Sequence, residues 1–270
     1  METNNTMSTE FQRCQAEIER QLEGYFNTEN AKYATLLESM RYSLLGGGKR
    51  IRAVLCLKFC EASGGAIEDA MSAACAVEML HAYTLIHDDL PCMDDDDTRR
   101  GKPSNHIKYG ECVAVLAGDA LQAAAFETLL KSNLPPERLV EMGKTLAAAA
   151  GPHGICGGQY LDLLHGDVTG DELTEIHKLK TAALLAASAR IGVISAGGMP
   201  EQVTAAERYA TALGLAFQAQ DDILDHADNA EECRRVVQTE TGKAIAAIEG
   251  KFNDTDFLIW LARMLEKRKY

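Results

Sequence analysis

Apolar residues recur three and four positions apart through most of the chain, over 10–23, 31–45, 51–62, 66–87, 113–131, 138–149, 171–196, 205–225 and 256–269. That spacing lays an apolar stripe along a helix, so each segment is predicted to be helical. Alternating patterns of the kind a half-buried strand needs are nearly absent. Glycine and proline gather between the periodic segments, at 46–48, 64–65, 135–136, 151–158 and 197–200, where they predict joints. No fixed repeat and no low-complexity tract appears, which argues against a solenoid. The expected fold is an all-α helical bundle whose ligand site is a central cavity between facing helices.

Length and composition sharpen this. The chain has 270 residues, 46% hydrophobic, with 6 prolines, enough for one large core and a single domain over 1–270. Apolar runs such as 181–189 are short against the roughly 20 residues that span a bilayer. The first 21 residues are polar and do not read as a cleaved leader. A cytoplasmic protein without stable membrane insertion is expected. Lys plus Arg number 27 against 40 Asp plus Glu, and the net charge of −13 argues against nucleic acid as a partner. The eight cysteines, scattered without a Cys-x-x-Cys pair, read as reduced core residues.

Candidate chemistry concentrates in two acidic clusters. The first runs from His81 through Asp88, Asp89 and Asp94 to Arg99 and Arg100. On a helix, His81 and Asp88 lie two turns apart on one face. Pro91 cannot sit deep inside that helix without breaking it, which leaves Asp94 in the following turn or in a short resumed helical segment. An acidic, solvated loop is the plain alternative. Against it, the carboxylates close a strongly apolar segment, and so many in so short a stretch repel one another unless a hard cation sits among them. The second cluster, Gln218-Ala-Gln-Asp221-Asp222-Ile-Leu-Asp225, can turn three carboxylates toward one patch of a helix. Together the two could hold magnesium, with diphosphate oxygens completing its octahedra. Gly46-Gly-Gly-Lys49-Arg50-Ile-Arg52 sets glycine backbone and three cations at a helix start, which suits an anion. Lys180-Thr181 reads as a lysine along a cavity wall or as ordinary surface.

Taken in order, Gly-Gly-Lys49-Arg50-Ile-Arg52, His81, Asp88-Asp89-x4-Asp94, Arg99-Arg100-Gly-Lys-Pro, Gly157-Gly-Gln159-x2-Asp162, Lys180-Thr181 and Phe217-Gln218-x2-Asp221-Asp222-x2-Asp225 resemble the trans-prenyl diphosphate synthases, specifically the bacterial short-chain farnesyl diphosphate synthases. The resemblance covers about 33–225. It implies an all-α homodimer in which Asp88, Asp94 and Asp221, with Asp89, Asp222 and Asp225, bind three Mg2+ ions on an allylic diphosphate. Arg99, Lys180, Thr181 and Gln218 would contact that substrate, and Lys49, Arg52, His81 and Arg100 would hold isopentenyl diphosphate. Asp88, Asp94, Arg99, Lys180 and Asp221 would carry the chemistry. Tyr83, five residues before Asp88 and so about 7.5 Å further down the helix, would floor the cavity with Thr84 beside it and stop the product at fifteen carbons.

The chain departs from the family after Asp225. Residues 226–240 are unlike the usual glycine- and lysine-bearing loop, and the C-terminal region looks shortened and about one helix short. Lys243 is the candidate for a second loop lysine, with Arg234 or Arg235 for the first. Alternatives are a geranyl or geranylgeranyl diphosphate synthase, a non-catalytic regulatory homologue, and a terpene cyclase, which has no use for an isopentenyl site.

Overall fold

The computed structural model describes residues 2–29, 31–165, 168, 170–225 and 230–268; of Glu2, Thr3, His165, Asp171, Leu224 and Asp225 it describes the backbone alone. Its helices are α1 (Glu2–Glu23), α2 (Ala34–Leu44), α3 (Ile51–Ala62), α4 (Ile67–Asp88), α5 (Asn105–Tyr109), α6 (Glu111–Leu130), α7 (Pro136–Ala150), α8 (Ile155–His165), α9 (Asp171–His177), α10 (Ala183–Ala196), α11 (Pro200–Asp225), α12 (Ala230–Ile248) and α13 (Asp256–Glu266). A π-helical turn, Lys178–Ala182, joins α9 to α10. Among the described residues the only sheet is a hairpin of β1 (Thr98–Arg99) and β2 (Lys102–Pro103).

The bundle is built on α3, α4 and α10, which are apolar on nearly every face and are therefore enclosed. Gly192 lets α10 meet α3 closely, because a Cβ there would lie 2.2 Å from the Cys56 carbonyl. At its N-terminus α4 is capped by Asp69, whose carboxylate accepts the Ala66 N–H at 3.1 Å. α6 packs on α4, and α11 on α10 and α12. Tyr209, fully buried, donates from its hydroxyl to the Leu258 carbonyl at 2.7 Å and ties α11 to α13. Phe11 and Trp260 pack between α1 and α13 with centroids 6.0 Å apart.

Several expectations change here. Residues 155–165 and 230–248 are helical although the glycine-rich joint and the acidic tail obscured them. On α12 the buried residues Val237, Thr241, Ala244 and Ile248 form the stripe that faces α11. Cys14, Cys56, Cys60 and Cys75 are buried, but Cys92, Cys112 and Cys156 are exposed, so only part of the set is core. Two helical stretches, 111–130 and 172–196, are long and apolar enough to cross a membrane by length and composition, which the short-run reading overlooked; 44% and 61% of their apolar windows are buried in the bundle.

Candidate active site

α4 delivers the first cluster. Its last turn carries Asp88, and the chain then folds under itself, with the Asp94 N–H donating to the Asp88 carbonyl at 2.9 Å. Of the two placements Pro91 allows for Asp94, this is the turn and not a resumed helix. Asp88 is half-buried and Asp94 exposed. Burial, reinforced by Asp94 and Asp89 and opposed by Lys180 and Arg99, pushes the Asp88 carboxyl up to about 6. A carboxylate so crowded by its own kind is a donor that gains from a hard cation.

Asp89, by contrast, is paired with a cation of the chain itself. It is 2% exposed and accepts from Arg99 Nε at 2.8 Å and from Arg99 Nη2. Burial raises its pKa and the Arg99 hydrogen bond lowers it. Asp89 therefore positions Arg99, whose Nη2 also donates to Asp96 at 3.0 Å. The β1–β2 hairpin turns on Arg100 and Gly101, both at positive φ (54° and 72°), the backbone a two-residue hairpin loop requires. That turn sends the adjacent arginines apart: Arg99 goes to Asp89, and Arg100 donates to the Gly47 carbonyl.

The cationic pocket lies one to two turns up α4. Arg52 Nη1 is 3.4 Å from His81 Nε2. Burial first, then Arg52 and Arg100, holds the His81 imidazole well below its ordinary value, so the ring is neutral and Nε2 accepts from Arg52. Arg52 Nε is buried with no hydrogen-bond partner. Gly48, at φ 129°, leaves room for the Arg100 guanidinium, which a Cβ would meet at 2.9 Å. Lys49 is exposed on the same loop, whose carbonyl at that residue accepts from Gln15 at 2.8 Å. Arg50 does not join them. In a left-handed backbone (φ 52°) it turns inward to Glu19 at 2.6 Å and Glu78 at 3.0 Å, so the basic motif offers two arginines and a lysine in different roles.

The opposite wall comes from α8, the π-turn and α11. Gly158 allows α8 to abut the π-turn, where a Cβ would sit 2.4 Å from the Lys180 nitrogen. One residue on, Gln159 donates to Asp94 at 3.4 Å while its own Oε1 is buried without a partner. Asp162 accepts from Lys180 Nζ at 2.5 Å. Thr181 donates to Gln218 Oε1 at 3.1 Å, which fixes the amide on α11. Asp221 is ion-paired with Arg268, whose guanidinium also stacks 3.7 Å over the Phe217 ring. Asp222 lies near enough to His177 to oppose the burial that lowers that imidazole's pKa. The Asp225 side chain lies outside the described residues.

Among the described residues no three His, Cys, Asp or Glu side chains form a closed metal cluster. The donor set nonetheless fits magnesium, which takes one or two carboxylates and fills the rest of its shell with water and phosphate oxygen. Asp88 and Asp94 would hold it on one side, Asp221 and Asp222 on the other.

Among the described residues, no contact brings Lys243 to the site. It sits exposed on α12 paired with Glu240 at 2.6 Å, because 230–248 is helix and not loop. Arg235 is likewise spent on Glu231 at 2.9 Å, and Arg234 is exposed beside it. Gln159 and Asp162 belong to a motif visible in sequence, but their partners were not; Arg268 carried no sequence signal at all.

Tyr83 is 5% exposed, with its hydroxyl 3.7 Å from Cys156 Sγ. Thr84 is tied to its own helix, donating to the His81 carbonyl at 2.9 Å. Cavities of about 30 Å3 touch Arg99 and Arg100 on one side of the site and Arg52 and Phe217 on the other, small beside a prenyl chain. A larger cavity of about 480 Å3, between α1, α3 and α4, is lined by Arg13, Glu17 and Met71 and by none of the site residues.

The elevated Asp88 pKa has a testable sign. A carboxyl whose pKa rises from 3.8 to about 6 on folding contributes stability below pH 4 that is lost as pH rises through 6. In chelator, Asp88→Asn is expected to gain on the parent by on the order of 2 kcal/mol between pH 4 and 8. Thermal melts of both proteins across that range check it; a constant difference between them would contradict the burial argument.

The polyprenyl synthetase family model matches residues 33–246. Geranylgeranyl pyrophosphate synthase 3, chloroplastic, of Arabidopsis thaliana is 54% identical over 206 residues, 73% of this chain and 57% of that protein. The chloroplastic geranylgeranyl pyrophosphate synthase of Capsicum annuum is 52% identical over 200 residues, 72% of this chain and 54% of its own length. The chain thus spans little more than half the length of these curated relatives. Among solved structures, an FPP/GFPP synthase from Zymomonas mobilis superposes with a TM-score of 0.91 at 34% identity, covering 97% of this chain and 99% of that one. A putative farnesyl-diphosphate synthase from Marinomonas sp. MED121 gives 0.87 at 35%, covering 96% and 98%.

Proposed function

The chain belongs to the polyprenyl synthetase family, and on that premise we propose that it condenses isopentenyl diphosphate with dimethylallyl and geranyl diphosphates to give farnesyl diphosphate. The observation that carries this reading is the pairing of two unlike sites along the C-terminal half of α4: crowded carboxylates at Asp88 and in the turn after it at Asp94, and a cation pocket where Arg52 of α3 meets His81, with an unsatisfied Arg52 Nε. Carboxylates alone would suit a cyclase, but the cation pocket needs a second polyanion.

Magnesium at the aspartates, three ions by family analogy, would neutralise the allylic diphosphate as it leaves. Arg99, held by Asp89, and Lys180, held by Asp162, add fixed positive charge on the same side. The allylic C1–O bond breaks with its electron pair going to diphosphate. Arg52, Arg100, Lys49 and neutral His81 orient isopentenyl diphosphate so that its terminal double bond attacks C1. The new tertiary cation loses a proton to the released diphosphate.

Product length rests on Tyr83, five residues and so about 7.5 Å of helix rise before Asp88. Geranylgeranyl diphosphate is the second reading, favoured by the plant relatives. Product analysis after incubation with isopentenyl and geranyl diphosphates tests both: the parent is expected to stop at fifteen carbons, and Tyr83→Ala to make mainly twenty or more. Parent product of twenty carbons would establish the second reading; no elongation would sink both, and hydrocarbon release would indicate a cyclase. We further propose a homodimer, supported by the exposed apolar residues Val115, Leu116 and Leu130 on α6 and Val140 on α7, and a cytoplasmic location, which rests on the sequence reading alone.

A further inference from the structure

Tyr83 is held by His87 of its own helix, itself lodged against α6, and by Cys156 of α8. Its ring meets the His87 imidazole edge-on, with centroids 5.7 Å apart and planes at 77°. His87 in turn lies 3.1 Å from the Val115 carbonyl of α6. It occupies space that only glycine leaves: a Cβ at Gly118 would come within 2.1 Å of His87 Nε2. At the other end of the ring, the hydroxyl reaches across to Cys156 on α8, 3.7 Å from Sγ, and also interacts with the Gln122 side chain of α6. A tyrosine packed along its edge can still swing about its side-chain torsions; a contact at its tip removes that freedom. A floor that swings gives a mixture of chain lengths, whereas one fixed at both ends gives a sharp limit.

We propose that Cys156 is a positioning residue for product length: its thiol holds the tip of Tyr83 while His87, seated on Gly118, holds the ring, so the growing chain meets a wall braced between α6 and α8. This rests on the condensation and on the Tyr83 floor proposed above. Cys156 touches neither diphosphate group's anchors among the contacts described, so its effect should fall on chain length and not on substrate affinity.

Cys156→Ala and Cys156→Ser separate that role from ordinary packing, because serine keeps a polar group that can meet the phenol. With isopentenyl and geranyl diphosphates, Cys156→Ala is expected to raise the fraction of products longer than fifteen carbons at least about fivefold, with KM for both substrates within about threefold. Cys156→Ser should stay within about twofold of the parent. An unchanged product ratio in Cys156→Ala, or a serine variant as leaky as the alanine one, overturns the proposal. A second readout needs no turnover. Tyr83→Phe is expected to change the rate at which N-ethylmaleimide alkylates Cys156, followed by peptide mass spectrometry, by at least about threefold while Cys92 and Cys112 react as before. Equal rates at Cys156 would overturn the contact. A parent that does not condense would defeat the functional reading while the alkylation rates still decide the brace, and a parent that runs to twenty carbons would defeat the floor and the brace together.

Discussion

Asp88→Asn is expected to lower kcat for condensation by about 1,000-fold or more while isopentenyl binding stays within about threefold of the parent. The exchange removes one negative charge and little volume, so the fold is spared and, in chelator, stabilised. What it removes is the carboxylate that burial and the neighbours Asp94 and Asp89 have made costly to ionise without a cation. Stability and chemistry therefore pull in opposite directions at this residue, as expected where a site is held ready for a charged ligand. Steady-state kinetics with saturating magnesium, set beside the melts described above, measure both sides. A variant that retains a tenth of the parent kcat would show that Asp88 is not a principal ligand.

Arg52→Gln is expected to act on the other substrate. A guanidinium hydrogen bond to a phosphate oxygen contributes about 1.5–3 kcal/mol, so KM for isopentenyl diphosphate should rise about 10- to 100-fold. KM for the allylic substrate should move by less than about threefold, because its side of the site is built from Arg99, Lys180 and the aspartates. Arg52 Nε, buried and without a partner, also predicts that the parent is destabilised until an anion arrives. If both KM values rose together, the division of the site into two polyanion pockets would be wrong.

The helices with an unbroken apolar stripe were legible from spacing alone, as were the helix break near Pro91 and the clustering of Asp88, Asp94 and His81 at the end of α4. Spacing could not say which charges face the site. Asp89 and Arg50 occupy motif positions yet turn inward, Asp89 to Arg99 and Arg50 to Glu19 and Glu78; their partners lie far enough along the chain that no local pattern reveals them. Gly157 and Gly158 looked like a joint because glycine weakens a helix. Here they lie within α8, and Gly158 provides the close approach to Lys180. In α12 the stripe at 237, 241, 244 and 248 was present but diluted by surface charge, and Lys243 fell on the solvent face. Arg268 reaches Asp221 and Phe217 from beyond α13, a contact only the tertiary fold could disclose.

The central claim is that one end of this bundle holds two diphosphates by different means, carboxylates with magnesium for the allylic one and side-chain cations for isopentenyl diphosphate. Calorimetric titration of each substrate separately, in magnesium and in chelator, tests it most directly. Geranyl diphosphate is expected to bind at least about 100-fold more weakly in chelator, and isopentenyl diphosphate to change by less than about threefold. Equal metal dependence for the two, or geranyl binding untouched by chelator, would contradict the account.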